Sequence, residues 1–462
     1  MATPRILNEI QDILEKGIKK YDVPGATLAV LYKDTVYTAA AGVLNVETAV
    51  KTTNDSIFQI GSITKVFTGT LIMQLVDEGR IDLDEPVKTY LPTFQVKDPN
   101  ATHKITLRHL LTHTGGIEGD FFEEADYGRD KLARYLDKCT LLPQLHPVGE
   151  YTSYSNSGLN IAGRIVEAIT GKTWEEAMCE RIFEPLGMDH SVVRAEQTLR
   201  FRTAIGHLPI PEKDQVNGKT QMLTTTPYLN STGSPSGATT TMSASDLIKF
   251  VRLHLNDNTI AKGRQVLSGK SIKDMQTPQW TMPKYSPEGM VHWGLTWTLL
   301  DWEGTRLINH NGGTVGQNSF LHIFPDQKAA IVLLTNGMNA RPLKMDIYSK
   351  IVSELAGVNP PELPETCDTK FDLVPYAGRY ESIASWMEIF EQDGKLKAKN
   401  GSKVFSETEI PVAQFGLSPI EKDHFLVTGQ GDKPFTTLNF MEETGTGQSQ
   451  YLFFASQLMK RT

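Results

Sequence analysis

The sequence predicts a mixed α/β fold, an antiparallel sheet flanked by helices, followed by a small all-β domain. Three observations lead there. An apolar strand pattern at 26–32 is answered by four more between 292 and 335, with helical spacing in between. The proline-rich segment Asn359-Pro360-Pro361-Glu362-Leu363-Pro364-Glu365 then stops a helix and stiffens an extended spacer. Beyond it, short runs of period two replace the helical pattern. The expected organisation is a first domain at 1–358, a linker at 359–368 and a second domain at 369–462.

The elements follow in order. Ile6, Ile10, Ile13, Leu14 and Ile18 recur at helical spacing, and Ala26 to Tyr32 reads as a strand that turns through Lys33-Asp34 into a return strand, Thr35 to Ala40. Phe58, Ile60 and Ile63 lead into an apolar helix carrying Val66, Phe67, Leu71, Ile72 and Leu75, with Gly79 suited to its C-cap. Helical stretches are expected at Thr106–Leu111, Lys131–Lys138, Gly158–Thr170 and Trp174–Ile182. Residues 205–245, rich in Pro, Gly, Ser and Thr, read as a long irregular loop beside a site. Strands are expected at His292–Leu299, Arg306–His310, Ser319–Phe324 and Ala329–Thr335, then a closing helix at 341–356. In the second domain the strand candidates are Trp386–Phe390, Lys395–Lys399, Phe435–Phe440 and Tyr451–Phe454, with Asp393-Gly394 as a hairpin turn.

Composition narrows the function classes. With 39% hydrophobic and 22% charged residues among 462, the chain reads as an ordinary globular protein. A net charge of -8 argues against nucleic acid or an anionic membrane surface as the main partner, because both call for clustered positive charge. No stretch approaches the roughly eighteen apolar residues of a membrane span. Cys139, Cys179 and Cys367 are too scattered for a disulfide framework or a zinc site, so no metal and no cofactor is expected. Met1-Ala2-Thr3-Pro4-Arg5 opens no apolar signal region, which points to a cytoplasmic setting.

Three separated motifs carry chemistry. Ser62 and Lys65 lie three apart on a helix and share a face, and a lysine deprived of solvent can serve as base for a serine hydroxyl. Tyr154-Ser155-Asn156 sits in a polar turn before an apolar helix, where a phenol can relay a proton and an amide can orient both lysine and substrate. His310-Asn311-Gly312-Gly313 ends a strand, where paired glycines let backbone N–H groups approach a ligand. His113 and His322 lack carboxylates at metal spacing and are read as structural.

Taken together, these motifs resemble the serine β-lactamase and penicillin-binding-protein superfamily. Supporting segments are Val23-Pro24-Gly25-Ala26, Phe58-Gln59-Ile60-Gly61, Leu110-Leu111-Thr112-His113-Thr114-Gly115-Gly116 and Phe183-Glu184-Pro185-Leu186-Gly187-Met188, and the resemblance covers residues 5–355. The Tyr154-x-Asn156 form is similar to the class C β-lactamase and D-aminopeptidase or esterase branch. What the resemblance implies is a β-lactamase/transpeptidase-like first domain. It further implies Ser62 as nucleophile, Lys65 with Tyr154 as its activating pair, and Asn156, His310 and Gly312 as substrate-binding residues. The N–H groups of Ser62 and Gly313 are the implied oxyanion hole. His310 replaces the lysine of penicillin-recognising members, which moves the expectation from β-lactams towards small peptides, including those with D-residues, and esters. Tyr376-Ala377-Gly378-Arg379-Tyr380 and the strands after it resemble the lipocalin-like barrel appended to some family peptidases and peptide-cyclising thioesterases. A domain of that kind is equally compatible with a role in stabilising a homo-oligomer. Hydrolysis through a Ser62 acyl-enzyme, cyclisation or acyl transfer from the same intermediate, and a silent receptor are the functional alternatives.

Overall fold

The computed structural model describes all residues except 1–3, 123–127, 217, 256–259, 262–263, 369–370, 404–411, 430–432, 444 and 446. The N-terminal strands β1 (Gly25–Tyr32) and β2 (Thr35–Gly42) join six later strands in one antiparallel sheet. The later six are β3 (Trp280–Thr281), β4 (Met290–Trp293), β5 (Thr298–Trp302), β6 (Thr305–Thr314), β7 (Gln317–Phe324) and β8 (Ala329–Thr335). The order is β3-β4-β5-β6-β7-β8-β1-β2, so the two ends of the domain meet where β1 pairs with β8, Ala29 opposite Val332.

Both faces of that seam are covered, which is why β1 and β8 read as continuous apolar runs. Alternation along β1 sends Ala29 and Leu31 into one core and Ala26, Leu28 and Val30 into the other. The second core is closed by α1 (Ile10–Lys20) and the final helix α5 (Ala340–Ala356). The first core holds α2 (Thr64–Asp77), α3 (Asn156–Thr170) and α4 (Ala244–His254). Every residue of α2 from Thr64 to Leu75 is buried, as expected of a helix apolar all round. It stops as its sequence suggests, with Gly79 at φ +67°.

One expected strand is divided. His292–Leu299 is not continuous: the chain leaves β4 at Trp293, turns through Gly294–Trp297 with Thr296 at φ +65°, and re-enters the sheet as β5. Apolar residues cluster on both sides of this turn, and a tight turn made without Pro or Asn escapes a reading by periodicity.

Eight strands at Gly378–Glu381, Ser385–Gln392, Lys395–Ser402, Ala413–Glu421, His424–Thr428, Pro434–Glu443, Ser449–Phe454 and Gln457–Arg461 form a closed barrel. Closure comes from the first strand, which pairs with both the second and the last. Its interior is packed with Tyr380, Met387, Phe425, Leu438, Phe440 and Leu452 among others. A separate apolar cluster joins barrel to mixed domain, with Leu145, Met282 and Trp293 on one side and Tyr451, Phe453 and Leu458 on the other. Each such side chain withdrawn from water contributes on the order of 1.5–3 kcal/mol. Among the described residues, no helix is long and apolar enough to cross a membrane.

Candidate active site

Ser62 lies in a tight turn, Gly61–Ile63, that feeds directly into α2. Gly61 has φ +50°, and a Cβ there would sit 2.5 Å from the Gly313 nitrogen, so this turn and β6 approach as only glycines allow. At Gly312 a Cβ would run into the Ile60 carbonyl oxygen and lie 2.8 Å from the Ser62 nitrogen. Ser319 Oγ donates to Ile60 O at 2.6 Å, and Gln317 Oε1 accepts from Gln59 N at 3.0 Å. The Ser62 turn is therefore pinned to β6 and β7. The exposed Gly313 faces the same cleft as Ser62.

Lys65, one turn into the helix region, is 0% exposed. Its Nζ lies 3.0 Å from Ser62 Oγ, 2.6 Å from Asn156 Oδ1 and 2.6 Å from the Ser236 carbonyl oxygen. Burial pushes its pKa down to about 7, against the pull of the Asp120 charge, which raises it. A neutral amine has two N–H donors and one lone pair. Asn156 Oδ1 and Ser236 O, both acceptors, take the donors and leave the lone pair for the Ser62 hydroxyl proton.

Tyr154 stacks under the lysine, with Nζ 4.7 Å from the ring centre. Burial raises the pKa of its phenol, while interaction with Ser62 lowers it by less, so the resting group is a phenol and not a phenolate. Asn156 opens α3, whose N-cap Ser155 accepts from Gly158 N at 3.0 Å. His113 Nδ1 accepts from the Ser155 backbone N–H at 3.0 Å, and its ring lies 4.7 Å from that of Tyr154, so this histidine holds the turn in place.

His310 is buried and donates from Nδ1 to its neighbour's carbonyl, Asn311 O, at 2.7 Å. Burial first, and the Lys65 charge second, push its pKa down to about 3, so the imidazole is neutral near pH 7. Its Nε2 has no hydrogen-bond partner among the described residues. A cleft of about 520 Å³ runs over Ser62, Tyr154, Trp293, His310, Gly313 and Phe320, and the barrel supplies its remaining wall through Phe435, Phe454, Ala455 and Ser456.

Ser62, Lys65, Tyr154, Asn156, His310, Gly312 and Gly313 thus converge although Ser62 and Gly313 are 251 positions apart in sequence. Three contributors are not evident from sequence. Ser236 offers only a backbone carbonyl, which any residue type supplies, although it does fall in the expected irregular loop. Asp120 accepts from Asn156 Nδ2 at 2.7 Å, and its one sequence signal is its position just after the Leu110–Gly116 segment. Gln457 of the barrel donates to Asp120 at 2.6 Å and carries no sequence signal at all.

The chain matches the model of the Beta-lactamase family over residues 10–352. Penicillin-binding protein 4 of Amycolatopsis lactamdurans is 38% identical over 365 residues, covering 78% of this chain and 94% of its own. Among solved structures, SurE resembles the fold with a TM-score of 0.79 at 24% identity over 99% of both chains. The D-amino acid amidase from Ochrobactrum anthropi SV3 does so with a TM-score of 0.62 at 23% identity, over 75% of this chain and 99% of its own.

Proposed function

Because the chain belongs to the beta-lactamase family of serine hydrolases, we propose that it forms an acyl-enzyme on Ser62 from a peptide or an ester and releases it to water. The observation that carries this is the setting of Lys65: buried, without a carboxylate in contact among the described residues, 3.0 Å from Ser62 Oγ, and with two carbonyl acceptors that take the N–H donors of the neutral amine. Neutral Lys65 takes the hydroxyl proton as Oγ attacks the substrate carbonyl. The N–H groups of Ser62 and Gly313 receive the oxyanion, and the Tyr154 phenol donates its proton to the leaving group. Water then attacks the ester with the same groups acting in reverse. Asn156, His310 and Gly312 position the substrate.

Peptides containing D-residues are the favoured substrates. The name of the D-amino acid amidase supports this by fold likeness, and a neutral His310 supports it by chemistry, since it lacks the cation that a β-lactam carboxylate would seek. Acyl transfer to an amine within the substrate is a second reading, favoured by the aromatic wall of Trp293, Phe320, Phe435 and Phe454 that limits water around the acyl group. The boundaries 1–358, 359–368 and 369–462 are proposed for catalytic domain, linker and accessory domain.

The experiment is a panel of L- and D-aminoacyl amides, esters, linear peptide thioesters and nitrocefin, followed by intact-mass measurement. Turnover with an adduct lost in Ser62→Ala is expected. No turnover and no adduct across the panel would make the protein a receptor, and nitrocefin as best substrate would overturn the role given to His310.

A further inference from the structure

An asparagine amide has the same shape at both ends and opposite polarity, so its neighbours decide which end faces which way. At Asn156 that neighbour is Asp120, whose Oδ1 accepts from Nδ2 at 2.7 Å and so turns Oδ1 of the amide towards Lys65. Reversed, the amide would set its own N–H donors against those of the lysine. Asp120 is itself only half-buried and needs holding. Its second oxygen accepts from Gln457 Nε2 at 2.6 Å.

Gln457 begins the last barrel strand, and the backbone on both sides of it is tied to the segment that precedes α3. Ser456 O accepts from Tyr154 N at 2.9 Å, and Leu458 N donates to Ser153 Oγ at 3.1 Å. Ala455 and Ser456 both have positive φ, at +50° and +65°, which folds the hairpin tightly enough to reach into the cleft. A continuous hydrogen-bond chain therefore runs from the barrel to the nucleophile: Gln457, Asp120, Asn156, Lys65, Ser62.

We propose that Gln457 is a positioning residue that the barrel supplies to the acylation centre: it holds Asp120 in the one orientation that makes Asn156 present its carbonyl to Lys65. The inference rests on the serine hydrolase function above. Without the Gln457 amide, Asp120 loses a donor, its charge is less dispersed, and its field at Lys65 grows. The titratable groups that bear on Lys65 are Asp120, Tyr154, His113 and His310, and those that bear on Asp120's surroundings are Glu118, Tyr135 and Lys403.

The test uses the full chain as wild type, Gln457→Ala, Gln457→Glu and Asp120→Asn, with thermal unfolding to verify folding. Two independent readouts are taken: the Lys65 titration by NMR of 13Cε-labelled lysine, assigned with Lys65→Ala, and the single-turnover acylation of Ser62 by p-nitrophenyl acetate. Gln457→Glu should raise the Lys65 midpoint by about one unit and slow acylation at pH 7 by about fivefold, with little change in KM. Gln457→Ala should move both in the same direction by less, and Asp120→Asn should lower the midpoint. Identical Lys65 titrations in wild type and both Gln457 variants would overturn the inference even if Ser62 is acylated normally. If the titrations shift but wild-type Ser62 never acylates, the positioning of Lys65 stands and the hydrolase function falls.

Discussion

Lys65 and Lys344 are buried in the same domain, 0% and 1% exposed, and they are buried in opposite ways. Lys344, on α5, meets a carboxylate directly: its Nζ lies 2.7 Å from Glu288 Oε2. Lys65 meets a hydroxyl and two carbonyl oxygens, and the carboxylate that influences it, Asp120, lies beyond Asn156 and reaches it by charge without contact. Burial lowers the pKa of both lysines, but at Lys344 the touching Glu288 carboxylate opposes it through charge and a hydrogen bond, whereas at Lys65 only the more distant Asp120 charge does. The difference separates a lysine that fastens a helix to the sheet from one that can take a proton.

The strongest way to break this contrast is to remove each lysine's function in turn. Lys65→Ala should lower single-turnover acylation of Ser62 by about a thousandfold or more, since it deletes the base from a strongly coupled set. Near-normal acylation in that variant would end the assignment. On the other side, Glu288→Ala strands a buried ammonium, and denaturant unfolding should show a loss of about 3 kcal/mol. A loss below about 1 kcal/mol would mean that Lys344 is not fastened by its partner.

The contrast also has a pH signature. Acylation should rise with pH as Lys65 loses its proton through about 7, and fall about tenfold per unit below that. Glu288 behaves in the reverse sense. Burial raises its pKa, but the Lys344 charge and hydrogen bond together with His322 and Arg341 outweigh burial and hold the carboxyl at about 2, below its ordinary 4.5. Its contribution to stability is therefore present above pH 4.5 and lost as pH falls to about 2. Acylation rates and unfolding free energies measured from pH 3 to 9 should separate the two groups. A flat acylation profile between pH 6 and 8 would contradict a base titrating near neutrality.

How legible each lysine is in the sequence follows from the distance between its partners. Ser62 and Lys65 are three apart on one helix, so their meeting can be read from helical geometry alone. Tyr154, Asn156 and His310 are remote, and it is the resemblance to a family, with its three motifs in order, that brings them together before the fold does. The sheet was legible for the same kind of local reason: β1, β7 and β8 are apolar runs bounded by turn residues. Asp120, Ser236 and Gln457 escape because their contributions depend on where a loop, a carbonyl and a barrel hairpin arrive in space. The Glu288–Lys344 pair escapes for a related reason, since Glu288 reaches it from a turn at φ +58° that no propensity marks. In the barrel, period two exposes four strands, while Ala413–Glu421 is interrupted by Gly416 and Pro419, and His424–Thr428 is only five residues long with three apolar residues in a row.

The smallest expected effect tests whether the Lys344 pair matters as charge or only as volume. A buried ion pair recovers in Coulomb attraction roughly what it lost in desolvation, so replacing both partners with apolar groups of similar size costs far less than removing one. Glu288→Leu with Lys344→Met keeps the space between α5 and the sheet filled, where the lysine Nζ already lies 5.8 and 5.6 Å from the Phe320 and Tyr348 ring centres. Unfolding free energy should stay within about 1 kcal/mol of wild type. The acid-dependent loss between pH 4.5 and about 2 should weaken with the carboxylate gone. No equivalent double replacement exists at Lys65, because its partners are a serine hydroxyl, an oriented amide and a main-chain carbonyl. A double variant as unstable as Glu288→Ala would show that the pair's charge is required for the fold, and the two buried lysines would then differ in partner but not in cost.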